Sequence, residues 1–229
     1  QVEHKATTTA GFRQHFYGLV PGVSEQKEEE IKHPLITTAM VDPFNCLWGQ
    51  KSVQFDGKKW ERPVVDLNLV AEFDKAVGEW MRKRQRPKLL ISTQTKVIEV
   101  VVDEKGDWVP LTPLIIVEPQ EEDLWALAAS LSSPIVSALA ARQTAGAARS
   151  VSRITLSARQ LLNLPLPSDK QALNEAIEIA QFIHKSSDQN LERSWLLFGE
   201  TINRAYGTKN EDLISWWWNR HPGARKQNK

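Results

Sequence analysis

The spacing of hydrophobic and polar positions changes near residue 165 and divides the chain into two parts. Upstream, short apolar runs rich in Val, Ile and Leu alternate with turn-forming residues, which is typical of strands in a small sheet. Downstream, apolar residues recur at intervals of three and four, which is typical of amphipathic helices. The predicted strands are Pro34–Val41, Ser52–Phe55, Lys88–Ser92, Val97–Asp103, Leu114–Val117 and Val151–Leu156.

Capping residues indicate where several of the predicted helices begin. Asp66 precedes an apolar stripe that reaches Trp80, and this helix ends before Pro87 because a proline disfavours helical backbone at the preceding residue. Ser133 and Pro134 are typical of a cap followed by a first helical residue. The other predicted helices are Glu121–Leu131, Asp169–His184, Leu191–Ala205 and Asn210–Trp218, and Ser157–Leu162 is predicted to be a short helix or a turn.

The clearest internal boundary is formed by Pro165 and Pro167, which are separated by one residue and exclude both regular helix and central strand. The predicted fold class is α/β in the mixed α+β sense, with a small mixed sheet, flanking helices and a C-terminal helical subdomain. The predicted divisions are a polar N-terminal loop segment over 1–33, an α/β body over 34–168, a helical subdomain over 169–219 and a disordered basic tail over 220–229.

The overall charge hides a segregation of charges along the chain. The 229 residues include 29 Lys plus Arg and 28 Asp plus Glu, so a net charge of +1 excludes a histone-like polycation. The interval 80–98 nevertheless contains no acidic residue, and neither does the interval 124–168. The first interval carries the candidate phosphate-binding residues Arg82, Lys83, Arg84, Arg86, Lys88 and Lys96.

The second acid-free interval surrounds a loop of small residues over 143–150. Small residues let a backbone approach a phosphate closely, and Arg, Gln and hydroxyl side chains donate to phosphates and base edges. A solvated surface with ordinary salt bridges is the alternative for both intervals. If the interval faces DNA, the candidate contact residues are Arg142, Gln143, Thr144, Arg149, Ser150 and Arg153.

The sequence offers no catalytic or metal-binding pattern. The chain has one cysteine, Cys46, so an intrachain disulfide is excluded. The histidines are scattered and lack metal-ligand spacing, so no metal is predicted. No catalytic residues are predicted. Asp42-Pro43-Phe44 is interpreted as a turn. A start at Gln1 indicates a segment of a longer protein, and the lack of a long apolar run or signal peptide predicts a cytoplasmic protein.

A series of short motifs adds a family resemblance over roughly residues 10–168. Together they resemble the C-terminal target-recognition region of bacterial N6-adenine DNA methyltransferases of restriction-modification systems, of the type IIG-like and type I-like classes. In order, the motifs are Pro34-Leu-Ile-Thr-Thr, Asp42-Pro with Trp48-Gly49, Pro87-Lys88-Leu-Leu-Ile, Glu99-Val-Val-Val-Asp103 with Gly106, Leu131-Ser-Ser-Pro134, Gly146 and Leu161-Leu-Asn-Leu-Pro165-Leu-Pro167.

The resemblance implies a division of labour between two halves of an enzyme. The catalytic half would bind S-adenosylmethionine and flip the target adenine, whereas a region like this chain would read the DNA sequence. The implied partners are double-stranded DNA, a catalytic methyltransferase domain or subunit and, as a further candidate, an endonuclease. No cofactor is expected in this chain, and it is not expected to be an enzyme by itself.

Two other function classes are alternatives to DNA recognition. The chain contains nine Trp, and Trp is enriched at binding hot spots, so the helical end with Trp195 and Trp216–Trp218 could dock a methylase or nuclease subunit. A local core closed over by these Trp residues is the structural alternative. A stand-alone small-molecule enzyme is disfavoured because no nucleophile–base or metal constellation is present.

Overall fold

The computed structural model describes residues 7–10, 18–27, 32–111, 113–144, 153–186 and 191–226. The fold is mixed, with small sheets, packed helices and a C-terminal helical region, as the change in hydrophobic spacing predicts. The strands in these ranges are β1 (Thr7–Ala10), β2 (Val23–Glu25), β3 (His33–Ile36), β4 (Val41–Asp42), β5 (Asn45–Cys46), β6 (Val53–Phe55), β7 (Lys58–Trp60), β8 (Pro63–Val65), β9 (Lys88–Ile91), β10 (Val100–Asp103), β11 (Val109–Pro110) and β12 (Ile115–Glu118).

The helices dominate the second half of the chain. Short 3₁₀ turns at Val20–Gly22, Thr38–Met40 and Glu121–Asp123 accompany them. The α-helices of the described ranges are α1 (Leu67–Phe73), α2 (Lys75–Arg82), α3 (Leu124–Leu131), α4 (Pro134–Thr144), α5 (Ala158–Leu162), α6 (Lys170–Lys185), α7 (Glu192–Ala205), α8 (Glu211–Trp218) and α9 (Pro222–Lys226).

The main sheet is antiparallel, with strand order β1-β12-β9-β10. Strands β9, β10 and β12 are buried along their whole length, because alternate residues face two different cores. Leu89 and Val100 face a core shared with the helices, whereas Leu90 and Val101 face a core beneath β3 and the β4–β5 hairpin. A sheet covered on both faces explains why its strands are near-continuous apolar runs in the sequence.

A second sheet, with strand order β11-β3-β8-β2, packs against α1 and α2 around a third cluster of buried residues. Its β11–β3 pair is parallel, and its other pairs are antiparallel. Two hairpins, β4–β5 and β6–β7, complete the described strands. The Asp56-Gly57 turn of the second hairpin, predicted from the sequence, has positive φ at both residues.

The prediction that residues 1–33 form only a polar loop is wrong. Strand β1 pairs with β12 at the edge of the main sheet, and β2 pairs with β8 at the edge of the second sheet. An edge strand has a neighbouring strand on one side only, so fewer of its residues need to be apolar than in a central strand. Its sequence therefore shows a weaker hydrophobic pattern. Pairing with distant strands, rather than local pattern, therefore decides these two elements.

The predicted single helix after Asp66 is two helices. Asp66 caps α1 as expected, accepting hydrogen bonds from the backbone N–H groups of Asn68 and Leu69. Asp74 interrupts the helix with extended backbone (φ −142°, ψ 97°) and caps α2 through the N–H of Val77. A Cβ on Gly78 would lie 2.5 Å from the Ala71 Cβ, so the break folds α2 tightly against α1.

The C-terminal helices and the sheet share one hydrophobic core. Phe44 is fully buried at the tip of the β4–β5 hairpin, and its ring stacks on Trp195 of α7 with centroids 5.2 Å apart. Its backbone carbonyl accepts a hydrogen bond of 2.7 Å from the His184 imidazole of α6. Asp42-Pro43-Phe44 is therefore a turn, as predicted, and it inserts into the core.

The prediction of a disordered tail from residue 220 is wrong over 220–226. His221 is 2% exposed and packs against the rings of Trp195, Trp217 and Trp218, and α9 begins at Pro222. A single buried anchor can order a short polar segment that has no hydrophobic pattern of its own. The predicted strand over 151–156 is reduced, in its described part, to one antiparallel bridge between Thr95 and Ile154.

Candidate nucleic-acid interface

The cations that end α2 are held by their own neighbours. The Arg82 guanidinium donates to the Asn68 side-chain oxygen (2.8 Å) and lines a cavity of about 590 Å³ that Lys32 and His33 also line. The Arg84 guanidinium lies 3.9 Å from the centre of the Trp80 ring and donates to the Trp80 carbonyl. Burial lowers the pKa of Arg84, and Lys83 beside it is exposed.

Arg86 is engaged in a two-point ion pair. Its Nη2 lies 3.1 Å from the Glu118 Oε2, and its Nε donates to the Glu118 Oε1 at 3.2 Å. The hydrogen bond to Glu118 raises the pKa of Arg86. Because the Glu118 side chain is buried, pairing with Arg86 offsets the cost of its desolvation. Arg86 thus already has an anionic partner within the fold.

Lys88 does not lie on an exposed phosphate-binding surface, which corrects the sequence prediction. Its side chain is 0% exposed, and its Nζ lies 2.5 Å from the Asp103 carboxylate. Register explains the contact, because Lys88 and Asp103 are paired residues of β9 and β10. Asp103 also accepts hydrogen bonds from the N–H groups of Gly106 and Trp108. Burial lowers the pKa of Lys88, and the Asp103 carboxylate opposes that shift.

Lys96 lies beyond the opposite end of β9 from Arg86 and Lys88, so the first cationic interval does not form a single cluster. The Ile154 N–H donates to the Thr95 carbonyl at 2.6 Å, in the bridge noted above. Lys96 follows Thr95 and Arg153 precedes Ile154, so each cation is next in sequence to a bridged residue. Both side chains are exposed, and neither forms an ion pair with a described residue.

The end of α4 supplies two further exposed polar side chains, Arg142 and Gln143. Thr144 is 3% exposed, and its hydroxyl donates to the Ala140 carbonyl at 2.9 Å. The prediction that Thr144 contacts DNA is therefore wrong, because its side chain is buried and its hydroxyl is bonded within α4. Arg149 and Ser150 lie outside the described residues.

A cavity of about 410 Å³ opens beside Arg153, at the end of β9 where Lys96 lies. Its floor contains Ser92 and Glu99, which are 8% and 9% exposed. They are joined by a backbone hydrogen bond from the Ser92 N–H to the Glu99 carbonyl (3.1 Å). Exposed Lys51 and Arg153 stand at its rim, so the mouth is cationic and the floor is polar and acidic.

Three residues of this cavity were not predicted as site residues from the sequence: Glu99, Ser92 and Lys51. Ser92 follows Leu90, and Glu99 precedes Val101, at the spacing of two that places residues on one face of a strand. The apolar face that Leu90 and Val101 form therefore turns polar at the cavity. A glutamate at an inward position beside a run of valines was the signal in the sequence.

The remaining chemistry-bearing groups include the chain's one thiol. Burial raises the pKa of the Cys46 thiol to about 11, so it is protonated at neutral pH. In the described ranges no group of three His, Cys, Asp or Glu side chains could hold a metal ion. Across the same ranges, no single helix is long and apolar enough to cross a membrane, although the bent pair Glu121–Leu131 and Pro134–Thr144 passes that test by length and composition together.

The Trp-rich end is largely internal. Trp195 and Trp217 are 5% and 1% exposed and pack into the shared core. Trp216 is half-buried, and the Arg220 guanidinium lies 4.6 Å from the centre of its ring. The large apolar side chains that are exposed on these helices are Phe182 and Leu197.

Comparison with known proteins leaves the site to be interpreted from its own geometry. The chain matches no protein-family model, and no curated protein matches it significantly.

Proposed function

We propose that this chain is the DNA-recognition domain of a bacterial N6-adenine DNA methyltransferase of a restriction-modification system. The supporting observation is the Thr95–Ile154 bridge, which joins the two acid-free intervals at residues adjacent in sequence to Lys96 and Arg153. Cations gathered on one surface repel one another, and a bound anion offsets that repulsion. A phosphate of the DNA backbone is such an anion.

Further cations extend the proposed surface around the bridge. Lys51 lies at the rim of the same cavity as Arg153, and Pro222, which also lines it, starts the basic C-terminal segment. Arg142 and Gln143 lie in the last turn of α4 and belong to the same acid-free interval of the sequence as Arg153. The DNA surface proposed here therefore consists of Lys51, Lys96, Arg142, Gln143 and Arg153.

In this proposal the chain positions duplex DNA for a catalytic domain or subunit that is separate from it. That domain would bind S-adenosylmethionine and carry the reaction, since the chain has no glycine-rich cofactor loop. The protein would act in the bacterial cytoplasm, and an endonuclease is a further candidate partner. Docking of a partner through the Trp-rich end stays a prediction, without support from the burial of Trp195 and Trp217.

The salt dependence of DNA binding tests the proposed surface. Binding of a 30-bp duplex would be measured by fluorescence anisotropy between 50 and 200 mM NaCl for the chain and for Lys96→Ala/Arg153→Ala. The slope of log K against log salt is negative, and each lost phosphate contact makes it shallower by about 0.9. The slope of the double variant should therefore be shallower by about 1.8, and its affinity for DNA should be about tenfold weaker.

A control pair separates local contacts from overall charge. Lys58→Ala/Lys75→Ala removes the same charge from exposed positions on β7 and α2, and its slope should match that of the unsubstituted chain. An equal loss in both double variants, or a salt-independent affinity, would overturn the proposed surface. Loss of N6-methyladenine at one sequence motif in the host genome, after deletion of this segment, would test the enzymatic context.

A further inference from the structure

The cavity beside Arg153 has a mixed composition. Val41, Leu47 and Pro113 contribute apolar side chains to a mostly polar lining, in which Glu99 is buried and Lys51 and Arg153 are exposed. A volume of about 410 Å³ lies in the usual range for small-molecule sites. The cavity therefore combines a mostly polar lining, which includes two carboxylates and two cations, with a few apolar side chains.

This combination matches the chemistry of one nucleotide whose base carries an amino group. Apolar side chains suit the faces of a base, a carboxylate accepts hydrogen bonds from an exocyclic amino group, and cations suit a phosphate. Glu99 and Asp42 both line the cavity, and an ionised carboxylate accepts hydrogen bonds at both of its oxygens.

We infer that the cavity lined by Glu99, Asp42, Lys51 and Arg153 receives a single unpaired nucleotide of DNA and prefers an amino-bearing base, such as cytosine, over thymine. The inference rests on the proposed DNA-binding function and adds a nucleotide subsite to it. Gln94, at the tip of the loop between Ser92 and Lys96, has a positive φ of 65°. Such backbone strain in a non-glycine residue is typical of loops that are shaped for binding.

The test compares two duplexes that differ in one unpaired base. Each 30-bp duplex carries one central unpaired nucleotide, dC in one and dT in the other. Cytosine and thymine have the same ring size but opposite hydrogen-bonding edges, so the chain should bind the dC duplex about tenfold more tightly. Glu99→Gln keeps the shape of the side chain but adds a donor, so the preference should fall to about one.

Glu122→Gln is the matched control. Glu122 is exposed and follows the far end of β12, away from the cavity, so its substitution should leave the dC preference intact. Circular dichroism and thermal unfolding of each variant would show that it folds. If Glu99→Gln leaves the dC preference unchanged, or if no preference exists, while Lys96→Ala/Arg153→Ala still weakens binding, the nucleotide subsite is overturned and the DNA surface stands.

Free mononucleotides distinguish the remaining outcomes. If neither duplex binds but deoxycytidine monophosphate does, and Glu99→Gln abolishes that binding, the cavity is a site for free nucleotides. That result would support the assigned base chemistry and overturn the DNA proposal. If neither duplex nor mononucleotide binds, both proposals fail.

Discussion

Lys88 and Lys96 belong to the same cationic run of the sequence, yet their environments are opposite. Lys88 is a paired residue of a strand covered on both faces, and its ammonium group lies against the buried Asp103 carboxylate. Lys96 follows that strand in an exposed loop. Charge patterning identifies a cationic run, but the direction of each side chain depends on strand alternation and on what covers each face.

Replacing Lys88 should be strongly destabilising. Lys88→Met removes the positive partner and leaves Asp103 charged and buried, which costs about 3–5 kcal/mol. Urea unfolding would measure the loss. Lys59→Met, at a side chain that is 66% exposed, should change the free energy of unfolding by less than about 0.5 kcal/mol. If Lys88→Met lowers the free energy of unfolding no more than Lys59→Met does, the buried Lys88–Asp103 ion pair would be contradicted.

Cys46 should make stability depend on alkaline pH. Burial raises its pKa from 9.0 to about 11, so between these values the unfolded chain loses the thiol proton while the folded chain keeps it. Its contribution to stability is complete below pH 9 and is lost as pH rises through 11. Urea unfolding at pH 8.5 and 11 should therefore show a smaller decline for Cys46→Ala than for the unsubstituted chain. Parallel declines would argue against a buried thiol.

At the scale of elements, local capping signals were the most reliable part of the sequence. Asp66 caps α1, Ser157 forms a capping box with Gln160, Asp169 caps α6 and Asn210 caps α8, each at or next to the predicted start. A cap acts within one helical turn, so a short sequence window contains all of it. The break at Asp74 was missed because it depends on how tightly α2 folds back on α1.

Two glycines with similar backbone conformations should respond very differently to alanine. Gly106 and Gly207 have φ of 78° and 75°, but only at Gly106 would a Cβ meet other atoms, 2.2 Å from the Arg86 carbonyl carbon. Gly207→Ala should lower the free energy of unfolding by about 1–2 kcal/mol, through backbone strain alone. Gly106→Ala should lower the free energy of unfolding by at least about 4 kcal/mol, because the added Cβ would clash with the backbone of Arg86, which cannot move aside as a flexible side chain could.

Thermal and urea unfolding of both glycine variants would measure that difference. Both variants share the backbone strain. The difference between their free energies of unfolding therefore reports the contact between the 104–108 loop and Arg86, which precedes β9. Equal losses would mean that this loop does not pack against Arg86 as described.

For the molecule as a whole, the Pro165–Pro167 segment is a boundary in pattern but not in packing. The largest core cluster joins Leu89 and Val100 of the sheet to Trp195 and Phe198 of α7. Phe44 from the β4–β5 hairpin stacks directly on Trp195. The helical region therefore covers one face of the main sheet.

Removing the helical region should unfold the body. A chain ending at Ser168 would expose the face around Phe44 and Trp125, so it should lose its cooperative thermal transition and bind a hydrophobic dye. The 229-residue chain should show one transition by both circular dichroism and Trp fluorescence. A truncated chain that still melts cooperatively would show that residues 1–168 fold alone.

The mixed α/β class, most helix starts, the central strands and the turn at Asp42-Pro43 could be predicted from local pattern, because capping and hydrophobic alternation act over a few residues. Three features could be seen only in the folded chain: the burial of Lys88, the bridge between Thr95 and Ile154, and the cavity that Glu99 and Ser92 line. These outcomes depend on pairing between residues far apart in the chain. Local pattern does not encode that pairing, since each partner's side chain is oriented by its own strand and by the elements packed above it.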